Sequence, residues 1–291
     1  MIERRITLTT AALVLVAILL APTLPRRSPD EILDPARTRN LPPGSTLDVP
    51  RVPPGGEVAK LSDGATSLTV HRLFLLGTDH LGRDLGARLL HGLRNSVVVG
   101  LLAAALSVAF GALVGLLSGY SGRRIDTAVM RTVDLATALP KLFVVLAVAA
   151  SVQPRMSVLI ALLASLTWMP VARTVRGEML ALAREDFILA ARASGSSLGR
   201  LLLRHVLPHL AEPLLTLGAL QVANLVLLES ALSFLGAGLP LPTASLGGMV
   251  AEALLQPETS WWALAFPGFV LTAVGVGCGW AAARLADSAP G

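Results

Sequence analysis

The feature that most constrains this chain is a series of apolar stretches, most of them close to the length that crosses a bilayer. A helix needs about 20 apolar residues to span a hydrocarbon core about 30 Å thick. The stretches are 6–24, 96–119, 132–152, 156–171, 213–235 and 262–283. We therefore predict an all-α integral membrane protein with six transmembrane helices.

The first apolar stretch allows two interpretations, because a basic start followed by an apolar run is also typical of a signal peptide. The run ends in APTLP, which lacks a clear small-residue cleavage site. We favour an uncleaved transmembrane helix over 1–24. An extracytoplasmic loop with an interfacial helix is predicted over 25–95, and the core membrane domain over 96–285.

Charged residues are scarce and unevenly placed. They make up 15% of the chain, against about 25% in ordinary soluble domains, and no basic stripe interleaved with aromatics points to nucleic acid. Arginines collect in two of the later loops instead: Arg123, Arg124 and Arg131 in one, and Arg173, Arg176, Arg184, Arg192, Arg200 and Arg204 in the other. The long loop after the first stretch also holds many arginines, but long loops follow the positive-inside rule poorly. Because short positive loops stay in the cytoplasm, we expect both termini there.

The long loop between the fourth and fifth stretches, 172–209, carries the most informative pattern. It includes EDFILAARASGSSLGRLLLRHVLPHL, which predicts two short helices. Asp186 is placed to cap the first helix. Gly195 fits a left-handed turn that ends it. The second helix is predicted to run to about Val206, before Pro208.

This pattern resembles the cytoplasmic loop of ABC importer permeases. The family motif is Glu-Ala-Ala, three residues, Gly, nine residues, Ile-x-Leu-Pro. Ala190 and Ala191 match the two alanines, Gly195 falls at the glycine, and Leu207 and Pro208 fall at Leu-Pro. The resemblance implies the fold of a type I ABC importer permease.

Two positions depart from that motif, and further segments narrow the match. Leu189 stands at the motif's Glu position and His205 at its Ile position. The segments 77–96 and 231–250 look like those of the second-permease type in dipeptide, oligopeptide and nickel importers. The resemblance covers roughly residues 77 to 285.

In that family the loop forms a coupling helix that docks on a separate ATPase subunit. The resemblance implies this role for a set of loop residues: Asp186, Ala190, Ala191, Gly195, Leu207 and Pro208. It also implies four kinds of partner: a second homologous permease, two ATPase subunits, an extracytoplasmic substrate-binding protein and the lipid of a bacterial cytoplasmic membrane. The alternative without the resemblance is an amphipathic helix lying on the membrane surface.

The chain is not expected to hydrolyse ATP itself. A phosphate-binding loop needs Gly-Lys-Ser/Thr after a glycine-rich turn, and neither Lys60 nor Lys141 has that context. We therefore expect no catalytic residue and no cofactor in this chain, with ATP and magnesium bound by partner subunits. The five histidines are scattered and predict no metal site.

Three polar residues within the apolar stretches are candidates for a translocation path. Glu229 either faces the path or a sister permease, or it bonds a neighbouring helix locally, since buried charge is costly. Asn224 lies five residues earlier. Lys141 follows Pro140, which can break the helix. It either meets an acidic substrate or, as we favour, pairs with an acid of a neighbouring helix.

Two other functions are alternatives to that of an importer permease. A proton- or sodium-coupled transporter would need intramembrane acids or broken helices in two matching halves, and Glu229 is the one clear buried acid in a sequence without an internal repeat. An intramembrane enzyme would need a nucleophile with its base, or metal ligands, and none stands out. The cargo is not specified by the sequence.

Overall fold

The computed structural model describes residues 29, 31, 35–50, 69–151, 155–240, 242–256 and 258–287. The predicted helix at 6–24 lies outside these residues. Before the long helices come a short helix, α1 (Pro35–Thr38), and two antiparallel strands, β1 (Ser45–Pro50) and β2 (Thr69–Phe74).

The rest of the described chain is helical. The helices are α2 (Leu85–Tyr120), α3 (Arg123–Ala138), α4 (Lys141–Ser151), α5 (Met156–Thr167), α6 (Met169–Leu182), α7 (Asp186–Ala193), α8 (Leu198–Leu201), a π-helical segment (Leu202–Val206), α9 (Leu207–Phe234), α10 (Leu246–Ala253) and α11 (Trp261–Asp287). Almost every predicted span corresponds to one of the long helices or to a pair of consecutive ones.

Three of the described helices are long and apolar enough to cross a membrane alone: Leu85–Tyr120, Leu198–Phe234 and Trp261–Ala286. Two consecutive pairs pass the same test only together. The α3–α4 pair is bent by 72° and the α5–α6 pair by 45°. The described residues therefore hold three spans, or up to five if each bent pair is one span, and the count of six stays a prediction.

The helix α2 is longer than the apolar stretch that predicts it. It begins at Leu85 rather than Ser96, with Asp84 accepting hydrogen bonds from two backbone N–H groups as its N-cap. The segment 85–95 is thus continuous with the span, and its location at the membrane interface stays a prediction. Its Leu85 and Arg88 are buried.

Close packing of α2 against α6 depends on three glycines, Gly111, Gly115 and Gly119. A Cβ atom on Gly111 would lie 2.6 Å from the Trp168 carbonyl oxygen, and one on Gly115 would lie 2.5 Å from that of Ala172. Small residues at a spacing of four let two helices approach in this way, as the sequence predicts.

The sequence predicts a helix break at each of two prolines, Pro140 and Pro208, and the two predictions have different outcomes. The break at Pro140 is confirmed, because α3 ends at Ala138 and α4 begins at Lys141. The predicted end of a helix before Pro208 is wrong, because helix continues from Leu198 to Phe234. Pro208 lies in the first turn of α9, where a missing N–H is tolerated, directly after the wider π-helical segment.

Candidate functional site

The turn at Gly195 has the geometry that the sequence predicts. Gly195 has a φ of +74°, which a residue with a side chain rarely adopts. Its N–H donates to the Arg192 carbonyl at 3.0 Å, and the N–H of Ser196 donates to the Ala191 carbonyl at 3.2 Å. This pair of bonds is a Schellman motif, which ends α7 and redirects the chain into α8.

The predicted cap at Asp186 is wrong by one residue. The capping position is Glu185, which makes no side-chain cap bond, and Asp186 is the first residue of α7. Its exposed carboxylate still lies at the positive end of the helix dipole, which favours negative charge. Asp186 therefore contributes charge to this end of α7 without closing it.

One face of α7 is anchored to the membrane bundle. Ile188 is fully buried in a cluster with Leu116 of α2, Met179 of α6 and Leu201 of α8. The guanidinium of Arg192 lies 4.7 Å from the ring centre of Tyr120, at the end of α2. These contacts fix α7 to the ends of α2 and α6, so the two parts move together.

The opposite face of the loop is exposed and mixes apolar side chains with charged ones such as Asp186 and Arg200. The Ala190 side chain is exposed and that of Ala191 is half-buried against the cluster. Leu189 is 49% exposed and Leu203 is 69% exposed. Farther along, Pro208 is exposed. The predicted loop residues thus form a surface with an anchored side and a free side, although Leu207 is half-buried.

Ion pairs join α6, which leads into this loop, to α3. Arg176 donates two hydrogen bonds of 2.5 Å to Asp126, which also accepts a 2.6 Å bond from the Ser118 hydroxyl. Arg173 donates to Asp134 at 2.7 Å on the exposed side.

The candidate path residues do not form one site. Glu229 is fully buried and accepts a 2.7 Å hydrogen bond from the Ser233 hydroxyl, whereas Asn224 is exposed on another face of α9. This geometry favours local bonding for Glu229. Lys141 is half-buried at the start of α4, and its ammonium makes no ion pair within the described residues.

A buried ion-pair cluster near the other end of the bundle was not predicted. Asp79 accepts a 2.6 Å bond from Arg83, and Arg88 donates to both oxygens of Glu252 at 3.1 Å. Arg83 also bonds Glu252. His80 lies close enough to share a cation with the two acids, but the arginines already neutralise both carboxylates. Opposite charges at 79 and 83, four apart in the sequence, were the available signal.

Helices of spanning length, two bent helix pairs and an anchored surface loop are the features of a multi-pass membrane protein. Residues 111–286 match the family described as the binding-protein-dependent transport system inner membrane component. The chain belongs to this family. The resemblance noted from the loop motif is thereby confirmed.

Relatives and a solved structure agree with this assignment. A Brucella suis protein named as a peptide permease is 40% identical over 197 residues, covering 67% of this chain and 65% of that protein. The di/tripeptide transport system permease protein of Pseudomonas aeruginosa is 36% identical over 198 residues, 68% of this chain and 65% of that protein. The chain thus spans just under two thirds of their length.

The fold is similar to a chain of the MetNI methionine ABC transporter, solved in inward facing conformations. The TM-score is 0.56 at 17% identity, with 69% of this chain and 95% of that chain covered. At this identity the likeness shows the fold, which is that of an ABC importer permease.

Proposed function

We propose that this chain is the permease subunit of an ATP-driven importer that carries peptides or related small solutes across the bacterial inner membrane. The observation that carries the proposal is the Gly195 turn with α7, anchored by Ile188 and exposed at Ala190. A rigid short helix with one free face is suited to insert into a groove of another protein. The peptide cargo rests on the names of the relatives.

Energy enters from a separate ATPase pair that binds ATP and magnesium. The free face of the loop, from Asp186 through Gly195 to Pro208, receives the movement of those subunits. Because α7 packs on the ends of α2 and α6, displacement of α7 is passed directly to these two helices, which pack closely through Gly111 and Gly115. The cytoplasm is then the side of this loop and of both termini, as its arginines favour.

The translocation path lies along the surface of α3, α4 and α6, against a second permease. The side chains of Asp134 and Arg173 are 58% and 46% exposed on this surface, and Lys141 begins α4 just after the break between α3 and α4. Charged side chains on helices of membrane length face a cavity or a partner rather than lipid. An extracytoplasmic binding protein delivers the cargo to the opposite side, and it sets most of the specificity.

Reconstitution tests this function. The chain is placed in proteoliposomes with the partner permease, the ATPase subunits and the binding protein encoded beside it, and uptake of a labelled dipeptide is followed. We expect uptake that requires ATP and every partner. Uptake by the lone chain driven by a proton or sodium gradient would contradict the proposal.

The ion-coupled transporter remains the second candidate because two helix pairs are bent, at 72° and 45°. Broken helices are the feature that such carriers use to bind ions. The two bends follow each other along the chain instead of occupying matching halves. The gradient arm of the reconstitution decides between the two functions.

A further inference from the structure

The bend between α5 and α6 lies at Trp168, where the helix axis turns by 45°. Pro170, two residues later, has no N–H to donate to the Leu166 carbonyl. Thr167 is the final residue of α5, so its carbonyl is one of the backbone groups that lie at the bend. Inside a membrane such groups need partners from the protein.

A side chain from α9 supplies one of these partners. The Nε2 group of Gln221 donates to the Thr167 carbonyl at 2.7 Å and to the Ser107 hydroxyl at 3.0 Å. The Thr167 and Ser107 hydroxyl oxygens lie 3.1 Å apart, and Thr167 also donates to the Leu163 carbonyl at 2.8 Å. All three polar side chains are buried.

The arrangement joins three helices at one point. Ser107 belongs to α2, Thr167 ends α5, and Gln221 belongs to α9. The amide donates both of its N–H groups here, so removing it leaves a buried carbonyl and a buried hydroxyl without that donor. An unmade bond of this kind is costly in an apolar setting.

We propose that Gln221 is a positioning residue that sets the angle of the α5–α6 bend. Below the bend, α6 is held against α2 by close contacts of Gly111 and Gly115 and continues to the loop that carries α7. Above it, α5 packs chiefly on α2, where Leu159 and Leu163 share a buried cluster with Val99 of α2, Val145 of α4 and Leu225 of α9. Gln221 therefore fixes how movement of α6 is transferred to α5.

The angle is measured directly with two spin labels on the full-length chain in lipid nanodiscs. Ser157→Cys on α5 and Glu178→Cys on α6 are both exposed sites, introduced with Cys278→Ser so that the labels are unique. For arms of about 16 Å and 15 Å, a change of about 20° in the bend shifts the label distance by about 2 Å. Gln221→Met, which keeps length and removes both donors, is expected to broaden the distance distribution by at least that amount.

Two further variants show whether the broadening is due to the lost bond from Gln221 to the Thr167 carbonyl. Ser107→Ala removes a hydroxyl but leaves the bond from Gln221 to the Thr167 carbonyl, so its distribution is expected to match the native one. Gln221→Asn retracts the donor by one carbon while keeping its polarity, and it replaces Gln221→Met if that variant fails to accumulate. Native widths in the Gln221 variants, or equal broadening in Ser107→Ala, would overturn the proposal.

The role in transport rests on the proposed function, but the distance measurement does not. In the reconstituted complex, Gln221→Met is expected to lower uptake several-fold while ATP hydrolysis per complex stays near the native rate. A variant that is only less stable would lower both together. Failure of the native complex to take up dipeptide would count against the proposed function and leave the measured bend as it is.

Discussion

At the residue scale, two positions lead to sharp predictions. Gly195 does so through its backbone conformation and Glu229 through its burial. Gly195 adopts a φ of +74° with no other atom within 4 Å of where a Cβ would lie. Its requirement is therefore conformational and not steric. Glu229, by contrast, has no exposed surface at all.

The conformational requirement at Gly195 predicts different effects for two substitutions. Gly195→Val places a β-branched residue in the left-handed region, at a cost of about 1–3 kcal/mol, so the Schellman turn should open and coupling of ATP hydrolysis to uptake should fall. Gly195→Asn should keep most of the coupling, because asparagine tolerates this region. Both are measured as the ratio of uptake to ATP hydrolysis, and full coupling in Gly195→Val would show that docking occurs elsewhere.

The burial of Glu229 predicts a structural role. Glu229→Gln keeps an acceptor for the Ser233 hydroxyl, so uptake and the free energy of unfolding should stay near native. Glu229→Ala leaves a cavity and an unpaired hydroxyl, and should cost on the order of 2 kcal/mol. Thermal unfolding in detergent measures the difference. A large loss of uptake in a stably folded Glu229→Gln protein would restore the pathway role.

At the scale of elements, contact between α2 and α6 is the most extensive helix pairing in the described residues. A Cβ on Gly115 would lie 2.5 Å from the Ala172 carbonyl oxygen and 2.9 Å from the Val175 Cβ. Neither atom can move without moving the α6 backbone. The spacing of the glycines predicted close packing, but not its partner, because the pairing joins segments far apart in sequence.

A single side chain added at Gly115 should push α2 and α6 apart. Gly115→Leu is expected to lower the free energy of unfolding by about 1–3 kcal/mol, as overpacking does. Gly218→Leu in α9 is the matched control, because no atom lies within 4 Å of its Cβ position. Comparable unfolding midpoints for the two variants would show that the α2–α6 contact is looser than described.

At the scale of the whole molecule, buried charge ties the start of α2 to α10. The side chains of Arg83 and Arg88 are 6% and 2% exposed, and both bond Glu252, which is 18% exposed. Around them, the Trp262 indole donates to the Thr78 carbonyl at 3.2 Å, and Asn95 donates to the Ala244 carbonyl at 2.8 Å. These bonds hold residues 78–95 and 244–262 together as one rigid unit, although α9 separates the two segments in the sequence.

Removing one member of this cluster should be far more damaging than removing an exposed pair. Glu252→Gln leaves two buried guanidinium groups with one carboxylate and is expected to cost about 3–5 kcal/mol. Arg173→Gln, which breaks the exposed pair with Asp134, should cost less than about 1 kcal/mol. Urea or thermal unfolding of both variants tests the contrast, and equal costs would contradict it.

The sequence predicted local features well and distant ones poorly. The Gly195 turn and the break at Pro140 depend on backbone preferences of neighbouring residues, and both are confirmed. Pro208 was misjudged because the π-helical segment before it has no sequence signature. The partners of Arg88 and Gln221 lie up to 164 residues away, a separation at which one sequence carries no pairing signal.

The continuous helix from Leu198 to Phe234 has a mechanical consequence. Its 37 residues extend about 55 Å, about 25 Å more than the hydrocarbon core. If this extra length lies at the end that carries Arg200 and Arg204, that end of the helix projects into the cytoplasm. The helix then acts as a lever, and the projecting part is its shorter arm. A tilt of only about 10° would move the end of that arm by about 4 Å, so a small rotation in the bilayer becomes a displacement of several ångströms on that side.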